Sequence, residues 1–296
     1  MPATQTQTAP AFTGSRPSTW RGLRKYVNIF RVSLIERMAY RGDFLLGTVL
    51  RFLPVLTTIL LWQAVYEGAR RERGADGPVD LAGFTERRMI AYLLLIHVSR
   101  MFSSMPGLAA GISRDVREGT LKKYLVQPLD MIGYLLAYRA AHKVAYIATA
   151  ALPYAGLFLV CHQFFDVPRD PGVWAAYAAA LLLGFVIGFF FEACMGMVGF
   201  WFLEVTSLLW VVNTINYFIS GQMFPLDLLP PLWAGLLRAL PFQYLAYFPA
   251  VIFLGKVQGR ELVDGLLIEL AWAVVLVLVC RWLYGRGLRR YSAYGG

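Results

Sequence analysis

From Pro171 to Gln222 the chain carries only two charged side chains, Glu192 and Glu204. One helix over that stretch would run ~78 Å at ~1.5 Å per residue, far beyond a ~30 Å hydrocarbon core. It therefore predicts two membrane crossings, over 173–202 and 205–222, turning near Phe202 to Ser207. Four more apolar runs, over 44–66, 89–112, 144–164 and 262–283, bring the expected count to six. Composition agrees: 58% of the 296 residues are apolar and 16% charged, with a mean hydropathy of +0.54. Soluble domains run nearer ~45–50% and ~25%. A disordered chain and an ordinary water-soluble enzyme are both excluded. The expected fold is an all-α integral membrane protein.

The net charge of +10 is spread along the apolar runs, which suits loops facing anionic lipid and not a nucleic-acid surface. Arg16, Arg21, Arg24, Lys25, Arg31, Arg37 and Arg41 precede the first span, and Arg114, Arg117, Lys122, Lys123, Arg139 and Lys143 join the second to the third. Arg281, Arg286, Arg289 and Arg290 close the chain. With both termini inside, the inner segments hold roughly twice as many bases as the outer ones, so both termini are expected to be cytoplasmic. The outer loop from Glu67 to Arg88 runs against this rule with five arginines, although five acids offset them.

Residues 1–19 lack an apolar run and read as a disordered cytoplasmic tail, and 286–296 as a basic one. Between 20 and 41, Trp20, Leu23, Val27, Phe30, Leu34 and Met38 recur at spacings of three and four, as on a helix lying in the membrane interface. Cys161, Cys194 and Cys280 stand singly in apolar segments, with no pattern for a disulfide framework or a metal.

Two connecting stretches carry more information. From Ser113 to Asp130 the charged segment SRDVREGTLKKYLVQPLD predicts a short helix, with Thr120 as its N-cap, Leu121, Tyr124 and Leu125 as its apolar face, and Pro128 as its end. Such a helix suits docking into a groove on a soluble partner. From Ser220 to Lys256 the chain is largely apolar, but Pro225, Pro230, Pro231, Pro241 and Pro249 forbid one spanning helix. A pair of short re-entrant helices is expected on the outer side, one of them over 232–240. Phe224, Pro225, Pro230 and Pro241 are the candidate residues of an outer gate.

With these stretches in view the chain resembles the ABC-2 type permeases, the membrane subunits of type-2 ATP-binding cassette exporters. The resemblance lies in Glu118-Gly119-Thr120-Leu121 before Pro128-Leu129. It lies also in Ser220-Gly221, Phe224-Pro225-Leu226, Leu229-Pro230 and Leu240-Pro241 before the last span. Tyr40-Arg41-Gly42-Asp43-Phe44 and Pro241-Phe242-Gln243-Tyr244 are similar to a bacterial subgroup in which two different permeases pair with one ATPase. The resemblance implies a transmembrane domain over 42–285 in a bacterial inner membrane and a coupling helix at about 116–126. Val116, Glu118, Gly119, Thr120, Leu121, Tyr124 and Leu125 would then contact the ATPase. It implies export, two ATPase subunits that bind ATP and Mg, a second permease forming a heterodimer, and no cofactor in this chain. Lys122-Lys123 makes this loop more basic than is usual in the family.

Arg100 in span two and Glu192 in span four fall at similar depth, and since a lone charge costs at least ~2.5–3.5 kcal/mol there, they either pair or each face the cavity or another subunit. Asn213 and Asn216, three apart in span five, are expected on one face as helix glue or pathway lining. Gly184 with Gly188, and Gly107 with Gly111, have the spacing that permits close helix approach. There is no Walker phosphate loop, so ATP hydrolysis belongs to another polypeptide. A lipid-modifying membrane enzyme needs clustered His, Asp or Glu, and an ion-driven transporter predicts paired repeats. The chain displays neither pattern.

Overall fold

The computed structural model describes residues 19–39, 41–74, 79–127, 129–202 and 204–292. The expected tail over 1–18, together with Tyr40, Pro128 and the last four residues, lies outside them. Most of the described residues are helical. Its α-helices are α1 (Thr19–Ala39), α2 (Arg41–Arg73), α3 (Glu86–Ser103), α4 (Leu108–Arg117), α5 (Lys122–Leu125), α6 (Met131–Val160), α7 (Pro171–Met197), α8 (Thr206–Ile219), α9 (Pro231–Arg238), α10 (Tyr247–Phe253) and α11 (Gly259–Ser292). Two short antiparallel strands, β1 (Asp80–Leu81) and β2 (Phe84–Thr85), form a hairpin between α2 and α3. Ala82 and Gly83 turn it with positive φ, and the Gly83 N–H donates to Asp80 Oδ1 at 2.6 Å.

Five helical stretches are long and apolar enough to cross a membrane: Phe52–Glu72, Glu86–Arg117, Met131–Val160, Pro171–Phe200 and Gly259–Tyr291. The chain is thus a multi-pass membrane protein. The expected fifth span is a helix of 14 residues, α8, which rises only ~21 Å. Two other expectations need correcting. Span three begins at Met131 and not near Val144, because Asp130 caps its first turn by accepting from the Gly133 N–H at 2.8 Å. Span two is not continuous: it breaks over residues 104–107, where Pro106 lacks a donor and Gly107 takes a left-handed φ of 73°.

The core is built around α7. Asp170 caps it and Pro171 sits at its first position, so its start is well determined. It packs against α3, α4, α10 and α11 through buried Ala180, Gly184, Ile187, Gly188, Ala193 and Gly196. α1 lies across α6, with Ser33 buried, Arg37 hydrogen-bonded to Tyr138 and Tyr26 over Gly133. Leu23, Val27 and Met38 of its predicted apolar stripe stay exposed. In α2, Leu53, Leu56, Leu60 and Leu61 are exposed as well, the pattern of a lipid-facing helix.

Candidate functional site

The segment joining α4 to α6 is a compact knot, and Asp115 ties it. Asp115 Oδ1 accepts from Thr120 Oγ1 at 2.9 Å, its Oδ2 meets Lys123 Nζ at 2.8 Å, and its carbonyl accepts from the Leu121 N–H at 3.1 Å. Gly119 makes the reversal with a φ of 71°. Burial works against the charge on Lys123, but Asp115 and Tyr124 together outweigh it and hold the ammonium above the ordinary lysine range. Thr120 is therefore not the N-cap of the short helix: its hydroxyl is taken by Asp115, and Leu121 occupies the cap position without a side-chain bond.

The same knot reverses the expected docking face. Leu121 is wholly buried, Tyr124 is 9% exposed with its ring 5.4 Å from that of Tyr134, and Val116 is buried too. These three anchor the segment to its own bundle. Facing outward instead are Glu118, Thr120, Leu125 and Val126, the last 81% exposed. Sequence reasoning missed Asp115, although its position five residues before Thr120 is a local turn signal.

The break between α3 and α4 gathers the charges of the membrane interior. Lys143 Nζ from α6 donates to the carbonyls of Met101, at 2.6 Å, and Ser104. Arg139 Nη1 donates to the carbonyl of Pro106 at 3.0 Å. Cations thus sit on the open carbonyl end of α3, where the helix dipole is negative. Glu192 from α7 lies by Ala109, near the positive start of α4. No salt bridge joins Arg100 to Glu192 among the described residues. Arg100 Nη1 donates to Ser103 Oγ at 3.2 Å and feels Glu192 only through space. In place of an ion pair stand two charges that serve helix ends.

Asn213 and Asn216 also part company: Asn213 is exposed, whereas Asn216 is 4% exposed and its Oδ1 has no hydrogen-bond partner. Glu269 of α11, which sequence reasoning passed over, is wholly buried with both oxygens unpartnered. It lies beside Gly184 and Tyr244. An acid deep in the last apolar run, five residues beyond Asp264, was the available signal.

Between Ser220 and Lys256, Pro225, Pro230, Pro231 and Pro241 each stand at the start of a turn or helix, while Pro249 lies inside α10. Pro225 precedes a 3-10 turn over 226–228, Pro230 and Pro231 open α9, and Pro241 opens a second 3-10 turn over 241–245. Phe224 is half-buried, Pro225 and Pro241 are buried, and Pro230 is exposed. Gly221 is required where it stands. Its φ is 81°, its carbonyl accepts from Tyr92 Oη at 2.6 Å, and a Cβ there would meet Tyr247 Cβ at 2.8 Å.

Asp227 clasps this segment, accepting from Arg238 at 2.5 Å, Tyr247 Oη at 2.9 Å and Lys256 Nζ at 3.2 Å. Burial, with the Asp227 carboxylate beside it, pushes the Tyr247 hydroxyl well up, so it remains a donor. Lys256 Nζ also stands 3.7 Å from the Phe84 ring centre, which fastens the hairpin to the start of α11. Asp227→Asn is expected to weaken this clasp by ~1–2 kcal/mol. Hydrogen exchange should quicken over 79–85 and 226–228 while the core amides of α7 stay protected.

Among the described residues no group of three or more His, Cys, Asp or Glu is placed to hold a metal. No curated protein matches the chain significantly. The family model described as ABC-2 family transporter protein matches residues 52–295, most of the chain and all of the bundle from the first apolar helix onward. The chain therefore belongs to the ABC-2 family of membrane transporter proteins.

Proposed function

We propose that the chain is a permease subunit of an ATP-driven exporter in a bacterial inner membrane. In this reading it crosses the bilayer six times with both termini in the cytoplasm, and α1 rests in the interface. Two separate ATPase subunits bind ATP and Mg and drive it. The observation that carries the reading is the knotted segment after α4. It is rigidly tied to the bundle by Leu121, Tyr124 and Asp115, yet offers Leu125 and Val126 outward. A lever needs that division between a fixed side and a free side. ATPase closure that favours one position of the segment would move α4 and hence the α3–α4 break.

A second, different permease completes the pathway. What favours a partner is α8, which buries only Leu209 and Asn216 while Trp210, Val211, Ile215 and Phe218 stay exposed. Its buried, unpartnered Asn216 Oδ1 is a further reason to place a neighbouring helix nearby. The turn before α8 lies beside the ends of α4 and α11, and α8 leads to Gly221 beside Tyr92 and Tyr247, a path that favours counting it as the sixth crossing.

Changing both Leu125 and Val126 to Asp tests the lever. The full-length variant is expected to insert and purify normally. It should no longer capture its ATPase subunit, and transport should fall at least about tenfold, the loss of ~1.4 kcal/mol of docking energy. ATPase capture and transport at wild-type levels would refute the docking role.

A further inference from the structure

The last turn of α4, the turn after α7 and the end of α11 enclose a cavity of about 490 Å³. That is within the ~300–1,000 Å³ of small-ligand sites. Arg117, Lys122 and Arg290 line it, and no Asp or Glu does. Three cationic side chains round one space favour an anion within it. Arg117 does reach Glu204, at 3.7 Å, but that carboxylate stands outside the lining. The remaining wall includes Phe200, Trp201 and Tyr291. Trp and Tyr favour the headgroup layer, where an apolar body meets a charged rim.

A second observation points the same way. Tyr291 Oη is buried without a hydrogen-bond partner, 3.7 Å from where a Cβ on Gly119 would stand. A buried hydroxyl left unsatisfied is unfavourable, and an anionic oxygen would accept its proton.

We propose that this cavity binds the phosphate of an anionic phospholipid headgroup, with Arg117, Lys122 and Arg290 as charge contacts and Tyr291 as hydroxyl donor. The proposal rests on the reading of this end as the cytoplasmic membrane surface. Gly119 and Lys122 belong to the knotted segment, so a bound headgroup braces its inner side while Leu125 and Val126 face the ATPase. Anionic lipid would then tune coupling without touching the motor.

The test is native mass spectrometry of the delipidated full chain titrated with phosphatidylglycerol or phosphatidylcholine. The wild type is expected to favour phosphatidylglycerol at least about tenfold. Changing Arg117, Lys122 and Arg290 together to Gln should cost on the order of a hundredfold. Changing Arg24, Arg31 and Arg286 to Gln, the same loss of charge elsewhere, should leave that affinity within about twofold. Tyr291→Phe, which keeps the fold should the triple variant fail, is expected to weaken binding by about threefold to tenfold. Equal affinity for the two lipids, equal loss in the two triple variants, or displacement by millimolar inorganic phosphate would overturn the lipid site. ATPase capture from the same wild-type preparation reports separately on docking: capture retained with these lipid results overturns the lipid site alone.

Discussion

Gly188→Ala is expected to deprive the chain of a stable fold, whereas Gly111→Ala is expected to leave it intact. A Cβ on Gly188 would stand 1.9 Å from the Ser103 carbonyl oxygen and 2.9 Å from its carbon. Those atoms are backbone, so no rotamer change relieves the clash, and α7 must move off the end of α3. Ordinary overpacking costs ~1–3 kcal/mol, and a fixed backbone contact belongs at or beyond the upper end. Gly184, with the Tyr244 carbonyl 2.9 Å from its would-be Cβ, is the milder version of the same fault. Gly111 has nothing within 4 Å, so alanine there adds no clash and gains ~0.5–1 kcal/mol of helix propensity. Unfolding in mixed detergent, followed by circular dichroism, checks the pair. Equal midpoints for Gly188→Ala and wild type would contradict the contact between α7 and α3.

That pair also marks the limit of what the amino-acid order reveals. Gly184 with Gly188 and Gly107 with Gly111 share one spacing, and nothing in the local sequence separates them. Only the tertiary approach of α7 to α3 makes the first pair indispensable, while Gly107 serves a turn through its left-handed φ. The expected fifth crossing is the 14-residue α8, but the other five of the six were legible as long apolar helices, since apolar length is a property of the chain alone. So were the family motifs, and Gly221 now accounts physically for the Ser220-Gly221 element.

Other signals were present but outweighed. Ser104-Met105-Pro106-Gly107 contains a turn dipeptide, yet its place inside an apolar run made span two read as unbroken. Leu121 and Tyr124 have the right spacing for a docking face, but spacing does not tell which side of a short helix meets the bundle. Burial decides that, and it turns them inward. Likewise Arg100 and Glu192 match in depth, but each is claimed by a nearer polar group at a helix end.

Those helix ends give the second large effect. Lys143→Met is expected to destabilise the bundle by ~2–4 kcal/mol, because it strips partners from two part-buried carbonyls at once. Met has nearly the length of Lys and fills the same space, so packing is conserved and the loss is polar. In the wild type Lys143 is 8% exposed and its ammonium donates to the Met101 and Ser104 carbonyls. Its own desolvation is offset by those bonds and by the negative end of α3. Removing the charge leaves the two part-buried carbonyls without that donor. Ser104→Ala removes only a 3.5 Å contact from the same ammonium and is expected to cost less than ~1 kcal/mol. Detergent-unfolding midpoints should therefore fall sharply for Lys143→Met and little for Ser104→Ala, with faster hydrogen exchange over 104–109 in the former alone. A Lys143→Met midpoint equal to wild type would mean that Pro106 and Gly107 hold the break unaided and that the cation is dispensable to it.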